Sequence, residues 1–136
     1  MTEINSLIGV PFLDRGRTEA GADCWGIVVL AFRRMFSIDL PTFDDYPGLE
    51  SRTRDDLARM IHDRTFAWDE VERGLERRGD VVLLAIGRQP CHVGIVTEPG
   101  RMLTTSRGDA ARIESYRGIK WRSRVYGFFR HRQTYF

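Results

Sequence analysis

The stretch from Gly21 to Phe36, GADCWGIVVLAFRRMF, constrains the fold of this chain more than any other. Asp23 stands where the N-cap of a helix would lie, and two arginines close the stretch, where cations favour the carbonyl end of a helix. The residues between them are almost all apolar, so the predicted helix must be buried over most of its surface. Its exposed N-terminus would present Cys24 to the positive end of the helix dipole, which favours a reactive thiolate.

The same stretch allows a simpler interpretation. The run GIVVLAF is too short for periodicity to separate a buried helix from a buried strand, and its β-branched residues favour a strand. A free cysteine is also often only a small buried side chain. A nucleophilic Cys24 therefore needs a basic partner elsewhere in the chain.

The composition is typical of a folded domain, and we expect residues 1–136 to form a single one. Hydrophobic residues make up 42% of the chain and charged residues 29%, with a net charge of +2. The N-terminus lacks the basic start and apolar core of a signal peptide, and no apolar run is long enough to span a membrane. The sequence therefore predicts no signal peptide and no membrane partner.

The cysteines argue against a disulfide framework and against a metal site. Cys24 and Cys91 are too few for such a framework. Together with His92 they lack the paired short spacing of zinc ligands, so we predict no metal and no cofactor. Cys91 directly precedes His92, and alternation along a strand would turn its sulfur away from the imidazole.

The order of elements predicts an α+β fold. Helices are expected at 2–8, after the Asp23 cap within the stretch 21–36, and at about 51–63. Short strands separated by short turns follow, at 66–71, 81–86, 92–98, 102–106, 111–116 and 124–131. Such spacing indicates an antiparallel meander packed against the helices.

Basic and aromatic residues are interleaved from Arg112 to Phe136, with Glu114 as the single acidic residue. Such a segment could form a nucleic-acid surface. We favour strands whose aromatic side chains pack inward while the arginines face water. Nucleic acid is therefore not an expected partner.

Three histidines could supply a base: His62, His92 and His131. His62 falls on the polar helix predicted at 51–63, and His131 falls in the basic segment. His92 begins the apolar run HVGIV after a turn, and a histidine at the mouth of a strand can be held rigidly while its ring stays accessible. Gly94 follows on the same face and would leave room beside the imidazole.

Three motifs occur in order along the chain: D-C-W-G at 23–26, R-G-D-V-V-L at 78–83 and H-V-G-I-V at 92–96. Together they resemble the NlpC-like family of papain-fold cysteine peptidases, whose members cut peptidoglycan peptides of bacteria. G-V-P-F at 9–12 and D-L-P at 39–41 are most similar to the phage-tail branch of that family. The resemblance implies an α+β papain-like fold, with N-terminal helices packed on an antiparallel sheet and the nucleophile at the N-terminus of the central helix.

The resemblance also implies acyl transfer by Cys24 and His92. The Cys24 thiolate would attack a peptide carbonyl, with His92 first as its ion-pair partner and then as the acid that protonates the leaving amine. The bond would be of the γ-D-glutamyl–diamino acid type, and N–H groups at the helix start would stabilise the oxyanion. Asp23 would either hold the free amine of the substrate or shape the helix start. Phe12 falls where many relatives have a substrate-contacting tyrosine; its ring has no hydroxyl, so the resemblance would imply one hydrogen bond fewer to substrate.

The third catalytic position departs from the family pattern. Relatives place a histidine, asparagine or glutamine about twelve residues after the catalytic histidine; here that residue is Thr104, or Thr105 if the register shifts by one. A threonine hydroxyl can accept from the imidazole N–H, but it is short and neutral. Two hypotheses follow: an active peptidoglycan peptidase, or an inactive structural tail-tip or tail-assembly protein that keeps the fold.

The resemblance also suggests where such a protein acts. Its expected partners are peptidoglycan peptides and the hub or tip proteins of a phage tail or tail-like particle. Without a signal peptide, it would be made in the bacterial cytoplasm and then incorporated into such a particle.

Overall fold

The computed structural model describes residues 2–40, 68–86 and 89–135. Two helices, α1 (Thr2–Asn5) and α2 (Cys24–Phe36), flank a small hairpin of β1 (Arg17–Thr18) and β2 (Gly21–Ala22). The later strands are β3 (Trp68–Val71), β4 (Val81–Ile86), β5 (Gln89–Glu98), β6 (Arg101–Thr104), β7 (Arg112–Ser115) and β8 (Val125–His131), followed by a 3₁₀ turn at Arg132–Thr134. The helix predicted at 51–63, with His62, lies outside the described residues.

The central helix α2 forms where the sequence predicts it. Every residue from Cys24 to Phe32 is buried, and the helix ends at Phe36 because Ser37 takes a left-handed conformation with φ of 55°. Within the described ranges, no helix combines the length and the apolar character that crossing a membrane requires. The helix packs on the sheet mainly through β5, the strand that carries His92.

The six later strands form one antiparallel sheet in the order β3-β8-β4-β5-β6-β7. A helix packed on such a sheet confirms the α+β class. The meander prediction holds for the run from β4 to β7 and is wrong for β8, which returns to pair between β3 and β4. The reason is that residues 81–84 of β4 are fully buried and need a hydrogen-bonded strand on each side, which β5 and β8 provide.

The sheet has an apolar layer on each face, and successive residues of a strand belong to opposite layers. Val81 and Leu83 belong to the layer that α2 covers, whereas Val82 and Leu84 belong to the opposite layer. The opposite layer also contains buried aromatic side chains of the basic C-terminal segment, namely Tyr116, Trp121 and Phe128. The inward-packing interpretation is confirmed for these three side chains, whereas Tyr126 and Tyr135 of the same segment are about half exposed.

Candidate active site

Cys24 is the first residue of α2, and Asp23 caps that helix. Asp23 has extended backbone angles, φ −89° and ψ −174°, and its Oδ1 atom accepts the Gly26 N–H at 2.8 Å. This bond satisfies one of the amide groups that the start of a helix leaves without a partner. The predicted helix start is confirmed, and Cys24 lies at the positive end of the α2 dipole.

The Asp23 carboxylate has two further donors. Arg17 places its Nη1 atom 2.8 Å from Oδ1, and the Arg15 N–H donates to Oδ2 at 3.2 Å. The side chains of Asp23 and Arg17 are 2% and 10% exposed, so their opposite charges meet away from water. Of the two roles considered for Asp23, shaping the helix start is the one that these contacts serve.

The Cys24 side chain is almost fully covered, with 1% of its surface exposed. It belongs to the apolar layer that α2 forms with the sheet, which also includes Trp25 and Val93. The expectation of an exposed thiol is therefore wrong for this structure, because the apolar surface of α2 is buried up to and including its first residue. Burial disfavours the thiolate and opposes the effect of the helix dipole.

His92 and Thr104 meet across strands β5 and β6. Ile95 stands opposite Leu103 in that pair. Continuing this register toward the start of β5 makes His92 and Thr104 diagonal neighbours on the same face of the sheet. Their side chains are therefore within reach of each other. The Thr104 Oγ1 atom is 2.8 Å from His92 Nε2. Thr105 donates its hydroxyl to a backbone carbonyl instead, so the register is the one that places Thr104 on the imidazole.

The hydrogen bonds of Thr104 determine which nitrogen of His92 carries the proton. The Thr104 hydroxyl also lies 2.8 Å from the Val93 carbonyl oxygen, to which only a donor can bond. Because a hydroxyl has a single hydrogen, Thr104 must accept from His92 rather than donate to it. His92 therefore carries its proton on Nε2, and its Nδ1 atom keeps a lone pair that can act as a base.

Gly94 serves a different purpose from the one that the sequence suggests. A Cβ atom at this position would lie 2.6 Å from the Met102 sulfur. The missing side chain therefore makes room for Met102 in the apolar layer opposite α2.

Trp121 covers the imidazole of His92. The two rings are parallel within 5°, with their centroids 5.1 Å apart. The Trp121 Nε1–H donates to Glu114 Oε1 at 2.8 Å, and the Lys120 ammonium lies 5.1 Å from the centre of the Trp121 ring. His92 is only 4% exposed, so the expectation of an accessible ring is also wrong for this structure.

Burial lowers the pKa of His92 to about 4. The negative charge of Glu114 opposes this effect, and the positive charges of Arg112 and Lys120 add to it. His92 is therefore neutral at physiological pH. The resting ion pair implied by the family resemblance is replaced by a neutral imidazole, which suits a base that takes a proton during the reaction.

The pKa of His92 predicts how stability depends on pH. In the unfolded chain His92 binds a proton near pH 6.5, whereas in the folded protein it stays neutral down to about pH 4. Stability is therefore lost as pH falls below 6.5, by up to about 3 kcal/mol at pH 4. Burial lowers the pKa of His131 in the same direction. We expect urea unfolding between pH 7 and 5 to show this loss.

The control for this prediction is His92→Gln. Across pH 7 to 5 the carboxylates whose pKa is lowered, such as Glu76 and Glu114, stay ionised in the folded protein, so they contribute little to the slope. The free energy of unfolding of the variant should therefore fall less steeply than that of the wild type. Parallel curves for the two proteins would contradict a neutral, buried His92.

Phe12 lies next to the start of α2. It forms an isolated parallel bridge with Ala22, two residues before Cys24. Its half-buried ring has the Arg107 guanidinium 5.2 Å from its centre. A ring in this position can offer a substrate an apolar surface and a cation, but no hydroxyl.

The model of the NlpC/P60 family matches residues 9–130. The chain belongs to the NlpC/P60 family. This match spans α2, the sheet and each of the predicted site residues. Among curated relatives, this NlpC/P60 chain is 28% identical over 116 residues to the murein DD-endopeptidase MepS/murein LD-carboxypeptidase of Escherichia coli (strain K12). The alignment covers 85% of this chain and 53% of the relative, so the chain spans about half the length of the curated relative.

Solved structures share the fold of this NlpC/P60 chain. A lipoprotein-like protein of the family from Staphylococcus aureus superposes with a TM-score of 0.67 at 21% identity, covering 96% of this chain and 39% of that one. The P60 domain of an M. avium subspecies paratuberculosis antigen gives a TM-score of 0.64 at 19% identity, with 98% and 92% covered. At these identities the likeness concerns the fold, and it confirms the predicted NlpC-like architecture.

The structure adds residues that the sequence analysis did not place in the site of this NlpC/P60 chain. Trp121 appears in the sequence only as one aromatic residue of the basic segment from Arg112 to Phe136, and Arg17 belongs to none of the motifs. Neither the stack of Trp121 on His92 nor the ion pair of Arg17 with Asp23 has a local sequence signal. The side chain of Cys91 lies outside the described part of the chain.

Proposed function

We propose that this domain is a cysteine peptidase that hydrolyses peptide bonds of peptidoglycan. The observation that carries the proposal is the His92 ring, which Thr104 holds through Nε2 in the tautomer whose Nδ1 carries a lone pair and no proton. A thiol at the start of a helix and an imidazole of defined tautomer are the two groups that acyl transfer requires. The substrate class is supported by the name of the E. coli relative, a murein endopeptidase and carboxypeptidase.

The proposed reaction uses His92 first as a base and then as an acid. Nδ1 of His92 takes the proton from the Cys24 thiol as the sulfur attacks the peptide carbonyl. The resulting imidazolium gives that proton to the leaving amine, and a thioester remains on Cys24. His92 then takes a proton from water as the water oxygen attacks the thioester, and the imidazolium returns that proton to the Cys24 sulfur as the acid product leaves.

The surroundings of the two groups support stabilisation of charge but restrict access. Amide N–H groups of the first turn of α2, including that of Cys24, would stabilise the oxyanion. Glu114, which lies near His92, would stabilise the transient imidazolium. Because Cys24 and His92 are both almost fully covered, substrate has to displace part of that cover before the sulfur can attack.

We further propose that the bond is of the γ-D-glutamyl–diamino acid type, on the family resemblance of the D-C-W-G and H-V-G-I-V motifs. The E. coli relative is named for a different bond, in DD cross-links. Digestion of defined muropeptides, followed by mass spectrometry, tests both the activity and the bond. We expect products cut after γ-D-glutamate with the wild type and none with Cys24→Ala.

Two other outcomes of the muropeptide digestion would change the proposal. Cleavage at a DD cross-link would support the proposed peptidase activity but contradict the proposed bond type. The absence of any product from folded wild type would favour the second candidate, an inactive structural protein of a tail particle. Two observations favour that candidate: threonine at the third position, and a thiol that is 1% exposed.

The role of Thr104 can be tested with two substitutions. Thr104→Val keeps the shape but removes the acceptor, so the buried Nε2–H of His92 loses its partner and the ring can change tautomer. We expect kcat/KM on muropeptides to fall roughly 10²-fold or more and stability to fall by about 1–3 kcal/mol. Thr104→Ser keeps the hydroxyl and should stay near wild type. Equal activities of the two variants would show that Thr104 does not orient His92.

The tail association is also part of the proposal. It is supported by the G-V-P-F and D-L-P motifs, which are most similar to the phage-tail branch. We propose that the protein is made in the bacterial cytoplasm and incorporated into a phage or phage-like tail, where it contacts hub or tip proteins. Purified tail particles should contain the protein by mass spectrometry, and particles that lack it would contradict this role.

A further inference from the structure

A cavity of about 410 Å³ opens on the face of the sheet opposite α2. Its apolar wall consists of Tyr116, Val125 and Phe128, side chains of the apolar layer on that face. Three arginines, Arg73, Arg117 and Arg122, also line it. The volume lies in the range of sites that bind small organic molecules. None of these residues has a part in the proposed acyl transfer.

The wall of this cavity is formed before any ligand binds. The Tyr116 hydroxyl donates to Glu76 Oε2 at 2.6 Å and accepts the Gly100 N–H at 2.6 Å. The ring of Tyr116 packs edge-on against Phe128, with centroids 5.3 Å apart. Burial, followed by the hydrogen bond to Glu76, raises the pKa of Tyr116 to about 12, so the phenol is neutral. Its polar end is therefore satisfied, and its ring forms a fixed apolar surface.

The charge of the cavity is positive. Glu76 is the single carboxylate among the lining residues; its side chain is 1% exposed and already bonded to Tyr116, with Arg117 at 3.4 Å. Arg73 donates to the Val125 carbonyl at 2.9 Å, which leaves its charge uncompensated. Within the described ranges, neither Arg73 nor Arg122 has a carboxylate partner. Two guanidinium charges thus remain at the cavity.

Other arginines of the sheet differ in this respect. Arg130 binds both oxygens of Asp80 at 2.8 Å, and Arg132 binds Asp69 at 2.9 Å. What distinguishes Arg73 and Arg122 from these two arginines is that their charges lie beside an apolar wall without a carboxylate partner among the described residues. Guanidinium groups bind carboxylate and phosphate oxygens through charge-assisted hydrogen bonds.

We propose that this cavity binds a small organic anion, in which a carboxylate or phosphate group is joined to an apolar part. The anionic group would bind Arg73 and Arg122, and the apolar part would pack against Phe128 and Val125. The site is separate from the Cys24–His92 pair, and its ligand binding does not depend on the proposed hydrolysis.

The test is an NMR titration of the ¹⁵N-labelled full chain with benzoate, phenyl phosphate and benzyl alcohol. The two anions separate a carboxylate from a phosphate ligand, and the alcohol has the same ring without the charge. We expect saturable shifts with at least one anion, with a Kd in about the millimolar range, confined to residues 73–76 and 116–128. Benzyl alcohol should bind at least about 10-fold more weakly.

Substitutions then test which arginines bind the anion. Arg122→Gln and Arg73→Gln should each weaken binding about 10-fold. Arg124→Gln is the matched control, because Arg124 is exposed and close in sequence but does not line the cavity. Equal weakening by the control, equal binding of the alcohol, or shifts spread over the whole surface would overturn the proposal, as would the absence of saturable shifts.

Discussion

Replacing His92 with alanine is expected to lower kcat/KM on muropeptides by about 10³-fold or more, with the fold retained. The imidazole supplies both proton transfers of the proposed reaction, and a general base and acid of this kind contributes about 10²–10⁴-fold. The substitution leaves a space between Trp121 and Thr104, where the ring is now held. Free imidazole added to the variant should enter that space and restore part of the activity.

His131→Gln is the matched control for this prediction. His131 is also buried, with its ring edge-on to Trp68 and Phe32 and its Nδ1 accepting the Gln133 N–H at 3.2 Å. The substitution should lower stability. In assays well below the melting temperature, it should leave kcat/KM unchanged. If both variants lose activity equally, or if His92→Ala keeps wild-type activity, His92 is not the catalytic base.

Asp23→Ala should cause the largest loss of stability. It removes the N-cap of α2 and leaves the Arg17 charge without its carboxylate in a site that is largely shielded from water. Breaking a buried ion pair from one side costs about 3–5 kcal/mol, and losing an N-cap costs about 0.5–2 kcal/mol. For a chain of this size the melting temperature should fall by about 10–20 °C, measured by calorimetry.

Asp23→Asn separates the two contributions. The amide oxygen can still accept the Gly26 N–H, so the cap remains while the charge is lost. We expect a smaller loss than with alanine. A double-mutant cycle with Arg17→Met should give a coupling energy between positions 17 and 23 of at least about 1 kcal/mol. Additive effects of the two substitutions would contradict the ion pair, whose atoms lie 2.8 Å apart.

The sequence predicts those parts of the fold that depend on local patterns. The apolar run at 24–32 with Asp23 before it predicts α2, and the run at 81–86 predicts β4. The position of β8 could not be predicted, because the pairing of Val81 with Phe129 joins residues far apart in the chain and leaves no local periodicity. Turn signals indicate where strands end, not which strand they join.

In the candidate site, too, local spacing could be predicted from the sequence, whereas packing between distant segments could not. The spacing between His92 and Thr104 predicts their contact, because a short turn joins β5 to β6 and sets their register. The burial of Cys24 and the neutral state of His92 depend on packing from distant segments, such as the stack of Trp121 on the imidazole. A sequence motif specifies which residues are present but not how much water reaches them.

The most direct test of Cys24 as the nucleophile is the mass of the protein during turnover. Wild-type protein mixed with a muropeptide and quenched in acid should carry an adduct of the acyl half of the substrate. Peptide mapping should place this adduct on the peptide that contains Cys24, and Cys24→Ala should show neither adduct nor product. Hydrolysis by Cys24→Ala at the wild-type rate, or an adduct on another residue, would contradict the account.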